Sequence, residues 1–231
     1  MLKELIEKYY QEKRDERKKT KFYISDAGKC PRQIFFRFKE APRAEMEPRL
    51  LRIFDHGDLV HRKFVQVLDS LGIVEGVEIP IRPSEDISGR ADAIVNIDGQ
   101  RYLVDFKSIN STILQSMNEP KKEHVLQVQL YLHFFNLKKG ILLYEGKDGL
   151  ELKEFPVEYD EELVRKTLGE FQRLKINLEK DLIPKRLIDY PENWQCKYCQ
   201  FKEICKMIGP GNVDWNEFKE KIQSQEKSNS S

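Results

Sequence analysis

The chain has almost no net charge, no long apolar run, no apolar leader and no internal repeat, and each lack closes off a class of function. Lys and Arg total 40 against 39 Asp and Glu, so there is no global basic field of the histone-like kind, and any nucleic-acid surface is a local patch. No stretch approaches the roughly 18 consecutive apolar residues of a bilayer span. Met1-Leu2-Lys3-Glu4-Leu5 lacks the apolar core of a secretory signal, which gives a cytoplasmic reading with no membrane partner. The absence of a repeat argues against a solenoid. A hydrophobic content of 39% over 231 residues is enough to bury a core in one large domain or a domain with a small appendage. Residues 1–208 read as one domain and 209–231, which opens on Gly209-Pro210-Gly211 and ends in Ser and Asn, as a partly disordered tail.

Within that domain, residues 2 to about 19 have the spacing of a charged amphipathic helix, followed by the basic run Arg14, Arg17, Lys18, Lys19 and Lys21. Ser25 is placed to cap a short helix reaching Arg37. Residues 49–71 repeat apolar side chains at helical intervals up to Gly72, with Gly57 and His61 four apart on one face. A glycine inside a helix costs about 1 kcal/mol relative to alanine, so Gly57 suggests a close approach to that face. Residues 76–81 and 87–97 read as strands. Asp98-Gly99 is a strong two-residue hairpin signal, joining the second strand to Arg101-Tyr102-Leu103-Val104-Asp105-Phe106-Lys107-Ser108. If Asp98 and Gly99 are the central turn residues, Ile97 pairs with Gln100 and Asp92 falls opposite Asp105. Residues 118 to about 137 suit a helix opened by Asn118-Glu119-Pro120 and carrying Gln127 and Tyr131 on one face. A strand over 139–145, a turn at 146–149, a partner strand over 150–159 and a helix capped by Asp160 and running to about 182 complete the pattern.

The polar residues on these strongly patterned elements are His61, Asp92, Asp105, Lys107, Gln127 and Tyr131. Like charges directly opposite one another repel unless a cation sits between them. Two carboxylates on paired strands and an imidazole from a neighbouring helix suit Mg²⁺ or Mn²⁺, the nitrogen ligand favouring Mn²⁺ somewhat. Beside such an ion, Lys107 would orient or help deprotonate an attacking water and offset charge on a phosphorane, with Gln127 and Tyr131 positioning phosphate or water. Such an arrangement would suit phosphodiester hydrolysis.

Gly57-x-x-x-His61, Gly89-Arg90-Ala91-Asp92, Asp105-x-Lys107 and Gln127-x-x-x-Tyr131, in this order, resemble the RecB-like branch of the PD-(D/E)XK nuclease superfamily over roughly residues 22–206. The resemblance implies an α/β fold with a mixed sheet flanked by helices. It also implies His61, Asp92, Asp105 and the Phe106 carbonyl on the metal, and a catalytic Lys107.

Four cysteines remain, Cys30 and the group Cys196, Cys199 and Cys205 in a C-x2-C-x5-C arrangement. In a cytosolic chain they point to metal or cluster ligation before disulfides. Three clustered thiolates and one remote partner suit an iron–sulfur cluster held by four cysteines better than zinc, although spacing alone admits both. The same layout resembles the iron–sulfur staple of certain RecB-like nucleases, the CRISPR-associated exonucleases among them. That implies a [4Fe–4S] cluster joining residues 22–40 to 190–206. It further implies DNA with single-stranded ends as substrate, and the CRISPR integrase complex as a partner in prespacer processing. A viral or housekeeping recombination or repair exonuclease without a CRISPR role, and an iron–sulfur DNA-end-binding module with little turnover, are the alternatives. Arg14 to Lys21, Lys121-Lys122 and Lys138-Lys139 are the candidate phosphate-tracking patches. The oligomeric state is not legible.

Overall fold

The computed structural model describes residues 1–12 and 18–229. In chain order its elements are α1 (Leu2–Glu12), β1 (Phe22–Tyr23), a 3-10 turn at Ile24–Asp26, α2 (Pro31–Phe38), α3 (Pro48–Ser70), β2 (Val74–Pro80), β3 (Ile87–Ser88), β4 (Arg90–Ile97) and β5 (Gln100–Ile109). There follow α4 (Ser111–Ser116), α5 (Lys122–Phe135), β6 (Lys139–Gly146), β7 (Leu152–Glu158) and α6 (Glu161–Glu179). The C-terminal elements are β8 (Leu182–Ile183), α7 (Trp194–Lys197), α8 (Lys202–Met207), β9 (Val213–Asp214) and α9 (Trp215–Asn229). Where the sequence suggests one domain over 1–208, the chain divides into two compact units. One comprises Met1–Asp15, Lys21–Gly28 and Glu47–Thr167; the other comprises Glu16–Thr20, Lys29–Met46 and Leu168–Ser231.

The first unit is built on a mixed five-stranded sheet in the order β2-β4-β5-β6-β7. Its β4–β5 hairpin turns at Asp98 (φ 52°) and Gly99 (φ 78°), both left-handed, as a tight two-residue turn needs. The register runs from Ile97 opposite Gln100 to Ala93 opposite Val104, so Asp92 and Asp105 come next. Strands β5 and β6 pair in parallel, Lys107 beside Tyr144, and the crossover between them is made by α4 and α5. Side chains alternate across the sheet. Val104 and Phe106 pack with Val60 and Phe64 of α3, the Phe64 and Phe106 rings stacking with centroids 5.4 Å apart. Asp105 and Lys107 occupy the other face, where Gln127 of α5 meets Lys107.

Several boundaries differ from the sequence pattern for local reasons. The first helix ends at Glu12 among the described residues, and Arg14 and Arg17 lie outside them. Ser25 sits inside the 3-10 turn, and α2 starts instead at Pro31 with Cys30 as its N-cap, since proline fills a first-turn position that needs no N–H donor. The strand expected over 87–97 breaks at Gly89, and Ile87–Ser88 pairs in parallel with Phe22–Tyr23. Pro120 disfavours helix for the residue before it, so α5 opens at Lys122, while Asn110, whose side chain accepts from the Ile113 N–H, caps the separate α4. Asp160 does cap α6, accepting from the Leu163 N–H at 2.9 Å, although the helix stops at Glu179.

In the second unit, Phe36 of α2 packs against Phe201 and Trp215, and Phe35 meets Trp215 edge-on. Of the segment read as a partly disordered tail, residues 213–222 take part in this core. Val213–Asp214 pairs with Leu182–Ile183, and α9 buries Trp215, Phe218 and Ile222, an i, i+3, i+7 stripe among polar residues.

The close approach expected at Gly57 is an ordinary one, since a Cβ there would lie 3.7 Å from Ser108 Oγ. At Gly89 a Cβ would come within 2.7 Å of Ile24 Cδ1 and 3.1 Å of its Cβ, and Ile24 is fully buried. Gly57→Ala is therefore expected to raise stability by about 0.5–1 kcal/mol and Gly89→Ala to lower it by about 1–3 kcal/mol. Urea unfolding midpoints of the two variants should move in opposite directions.

Candidate active site

The β4–β5 hairpin and α3 bring His61, Asp92 and Asp105 to one place in the first unit. Asp92 is the hub of the hydrogen bonding. Its Oδ2 accepts the Phe106 N–H at 2.8 Å, and its Oδ1 stands 3.3 Å from His61 Nδ1. Asp105 is 1% exposed. Lys107 Nζ lies 2.5 Å from its Oδ2, an ion pair without hydrogen-bond angles, for neither Asp105 oxygen has a hydrogen-bond partner among the described residues. The same ammonium donates to Gln127 Oε1 at 3.3 Å, so Gln127 acts on Lys107.

The charges respond to this geometry. Burial pushes the Asp105 carboxyl up to about 6, against the lowering pull of Lys107 and with a further rise from Asp92. Burial disfavours the His61 imidazolium, but the hydrogen bond to Asp92 and its charge outweigh burial, and the net shift is upward. Burial and then the Asp105 charge hold the Tyr131 phenol above its usual range.

Tyr131, expected to position phosphate or water, has its hydroxyl on the Arg90 backbone. It donates to the Arg90 carbonyl at 2.7 Å and accepts the Arg90 N–H at 3.2 Å, fixing β4 two residues before Asp92. His124, absent from the sequence-derived set, sits one turn before Gln127, with Nδ1 2.7 Å from the Tyr144 hydroxyl. The signal was available, because positions 124, 127 and 131 make one helical stripe. The basic run is largely engaged within the fold. Lys18 pairs with Glu40 at 3.0 Å, Lys19 is buried with its ammonium 5.4 Å from the Phe38 ring centre, and Lys21 donates to the Ser84 carbonyl at 2.6 Å. Lys138 lies over Tyr159 and Lys139 over Tyr102.

Among the described residues, no three His, Cys, Asp or Glu side chains converge tightly enough to enclose a metal ion. The donor chemistry still fits a hard divalent cation. Two carboxylates are matched by one ammonium, and the buried Asp105 carboxylate keeps two oxygens with no hydrogen bond to give up.

The second unit gathers the cysteines. Cys30, Cys196, Cys199 and Cys205 line one narrow cavity together with Arg32 and Arg186, and all four are free thiols. Burial, then neighbouring Cys199 and Cys205, push the Cys30 thiol up to about 11, with opposing backbone hydrogen bonds. Burial raises Cys196 and Cys199 as well. Arg32, fully buried, donates to Cys205 Sγ at 3.6 Å and to the carbonyls of Pro184, Gly209 and Gly211. The Cys30 N–H donates to Gln195 Oε1 at 2.7 Å.

The PD-(D/E)XK nuclease superfamily model matches residues 2–206. The CRISPR-associated exonuclease Cas4 of Saccharolobus solfataricus (strain ATCC 35092 / DSM 1617 / JCM 11322 / P2) is 27% identical over 215 residues, which cover 89% of this chain and 95% of that protein. In fold, the crystal structure of SSO0001 superposes with a TM-score of 0.57 at 24% identity, covering 89% of this chain and 96% of that one. The alkaline exonuclease LHK-Exo from Laribacter hongkongensis has a TM-score of 0.50 at 14% identity, over 76% of this chain and 92% of its own. Its complex with dAMP gives 0.51 at 13% identity, over 82% and 95%.

A carboxyl raised from 3.8 to about 6 on folding binds its proton more tightly in the folded state. It adds no charge-burial cost below the unfolded value, and the cost grows as pH rises through the folded value. Metal-free Asp105→Asn should therefore melt higher than wild type near pH 7.5, by up to about 3 kcal/mol, and converge with it near pH 4. Melting curves across this range check the sign.

Proposed function

Because the chain belongs to the PD-(D/E)XK nuclease superfamily, we propose that it is a metal-dependent deoxyribonuclease. It would hydrolyse phosphodiester bonds of single-stranded DNA or DNA ends, as an exonuclease processing prespacers in CRISPR adaptation with the integrase complex as partner. The observation that carries the catalytic reading is the buried Asp105 carboxylate, with no hydrogen bond to either oxygen, beside Lys107 and next to Asp92 and His61. The CRISPR role rests on the 27% identity to a CRISPR-associated exonuclease across nearly the full length of both chains.

Asp92, Asp105, His61 and the Phe106 carbonyl would hold Mn²⁺ or Mg²⁺. When bound, the ion supplies Lewis acidity at the scissile phosphate and lowers the pKa of a water. Lys107, steadied by Gln127, orients that water and offsets charge developing on the phosphate oxygens. Tyr131 acts at one remove, holding Arg90 and hence Asp92 in register. In the cysteine cavity, a [4Fe–4S] cluster held by Cys30, Cys196, Cys199 and Cys205 would fasten α2 to the α7–α8 segment within the second unit. Thiols held protonated by burial give up their protons on ligation, and the guanidinium of Arg32 offsets part of the negative charge they acquire.

End-labelled single-stranded DNA should be degraded by wild type with Mn²⁺ or Mg²⁺ and spared in EDTA, and Asp105→Ala should lose at least about 10³-fold in rate. Equal, metal-independent degradation by both proteins would end the nuclease reading for this site. Anaerobically purified protein should be brown, with iron and acid-labile sulfide in equal amounts, and Cys199→Ala should lose the colour. Colourless wild-type protein with stoichiometric zinc would overturn the cluster assignment.

A further inference from the structure

His124 is a half-buried histidine in the first turn of α5, on the stripe that carries Gln127 and Tyr131. Its ring lies against Tyr144, with centroids 5.6 Å apart, and Tyr144 is the β6 residue beside Lys107. His124, Gln127 and Lys107 therefore form one polar group between helix and sheet.

The hydrogen bonds around Tyr144 determine which ring nitrogen carries the proton. Tyr144 is fully buried, and its hydroxyl oxygen accepts the Lys121 N–H at 3.2 Å. Its own proton has one acceptor within reach among the described residues, His124 Nδ1 at 2.7 Å. The opposite arrangement, with Nδ1–H donating, would bury a hydroxyl proton without an acceptor, which is unfavourable. Nδ1 is thus the acceptor and the neutral ring carries its proton on Nε2. Burial, Lys107 and Lys121 all oppose a second proton and depress His124 to about 3. Nε2 has no hydrogen-bond partner among the described residues.

From this geometry we propose that His124 is a phosphate-positioning residue of the nuclease site, its Nε2–H donating to a non-bridging oxygen of the bound DNA strand alongside Lys107. A neutral donor suits this place. It binds a phosphate oxygen without adding a second buried positive charge next to Lys107, and it leaves proton transfer to the groups around Asp105. The inference rests on the nuclease reading for its substrate and on the Tyr144 hydrogen bonds for its chemistry.

Glutamine and asparagine separate the two nitrogens, because a Gln amide reaches the position of Nε2 and an Asn amide that of Nδ1. In the full-length protein, His124→Asn and His124→Ala are expected to lower kcat/KM on single-stranded DNA by about tenfold to a hundredfold, the range of one hydrogen bond to a charged group, while His124→Gln keeps most of it. Binding of the same oligonucleotide in EDTA, which requires no turnover, should fall in the same order. Unchanged kcat/KM and unchanged affinity in His124→Asn would overturn the proposal. An inactive wild type whose DNA affinity still follows this order would count against the nuclease reading and leave the binding role of His124 standing. If the variants do not fold, nitrogen-15 histidine spectra of wild type decide the chemistry. The Nε2–H tautomer at neutral pH is expected, and an Nδ1–H tautomer or an imidazolium overturns it.

Discussion

One buried carboxylate sets the terms for the first unit. Asp105 lies at the centre of a five-stranded sheet, almost without solvent, and burying a carboxylate is costly unless something compensates. Among the described residues the compensation is partial: one ammonium at contact distance and no well-angled hydrogen bond to either oxygen. The neighbouring polar groups arrange themselves around that deficit. Lys107 is held by Gln127, Asp92 is turned toward His61 and the Phe106 N–H, and Tyr131 ties down the strand that carries Asp92. The apolar face of the same strands, Phe106 stacked on Phe64, supplies the packing that keeps such a carboxylate in place. A protein selected for stability alone would have placed an apolar residue there, so the cost is evidence of function.

The parts of this arrangement that depend on short-range rules are legible in the sequence. Asp98-Gly99 specifies the hairpin, the hairpin specifies the register, and the register brings Asp92 to Asp105. The helical positions of His61 on α3 and Gln127 on α5 place them beside Asp92 and Lys107. What is not legible depends on partners distant in the chain. Nothing near Tyr131 indicates that its hydroxyl closes on the Arg90 backbone, because that contact exists only once α5 has docked on the sheet. The break at Gly89 likewise answers to Ile24. The last helix escapes a reading by composition, because its polar content outweighs a stripe of three apolar residues, which is enough to anchor a helix but too little to dominate an average. His124 escapes for a different reason, since a lone histidine is most often a satisfied one.

The second unit solves a different electrostatic problem. Its thiols are neutral when protonated and anionic when ligated, yet Arg32 is charged in either state and is buried among them with carbonyls and a sulfur as its partners. Among the described residues this guanidinium has no carboxylate partner, and it is best compensated when the sulfurs carry charge. On the proposed cluster reading, ligated sulfurs would compensate Arg32, and the folding of α2, α8 and the β8–β9 pair would be tied to the cluster.

The parallel pairing of β5 with β6 has a kinetic consequence. The β4–β5 hairpin is local and closes early, whereas β6 cannot join until the crossover through α4 and α5 has been laid across the sheet. The two carboxylates are therefore expected to meet before Gln127 arrives to hold Lys107. On that order of assembly the repulsion is met before its compensation, and solution conditions that screen or neutralise the acids are expected to change the rate at which the protein assembles.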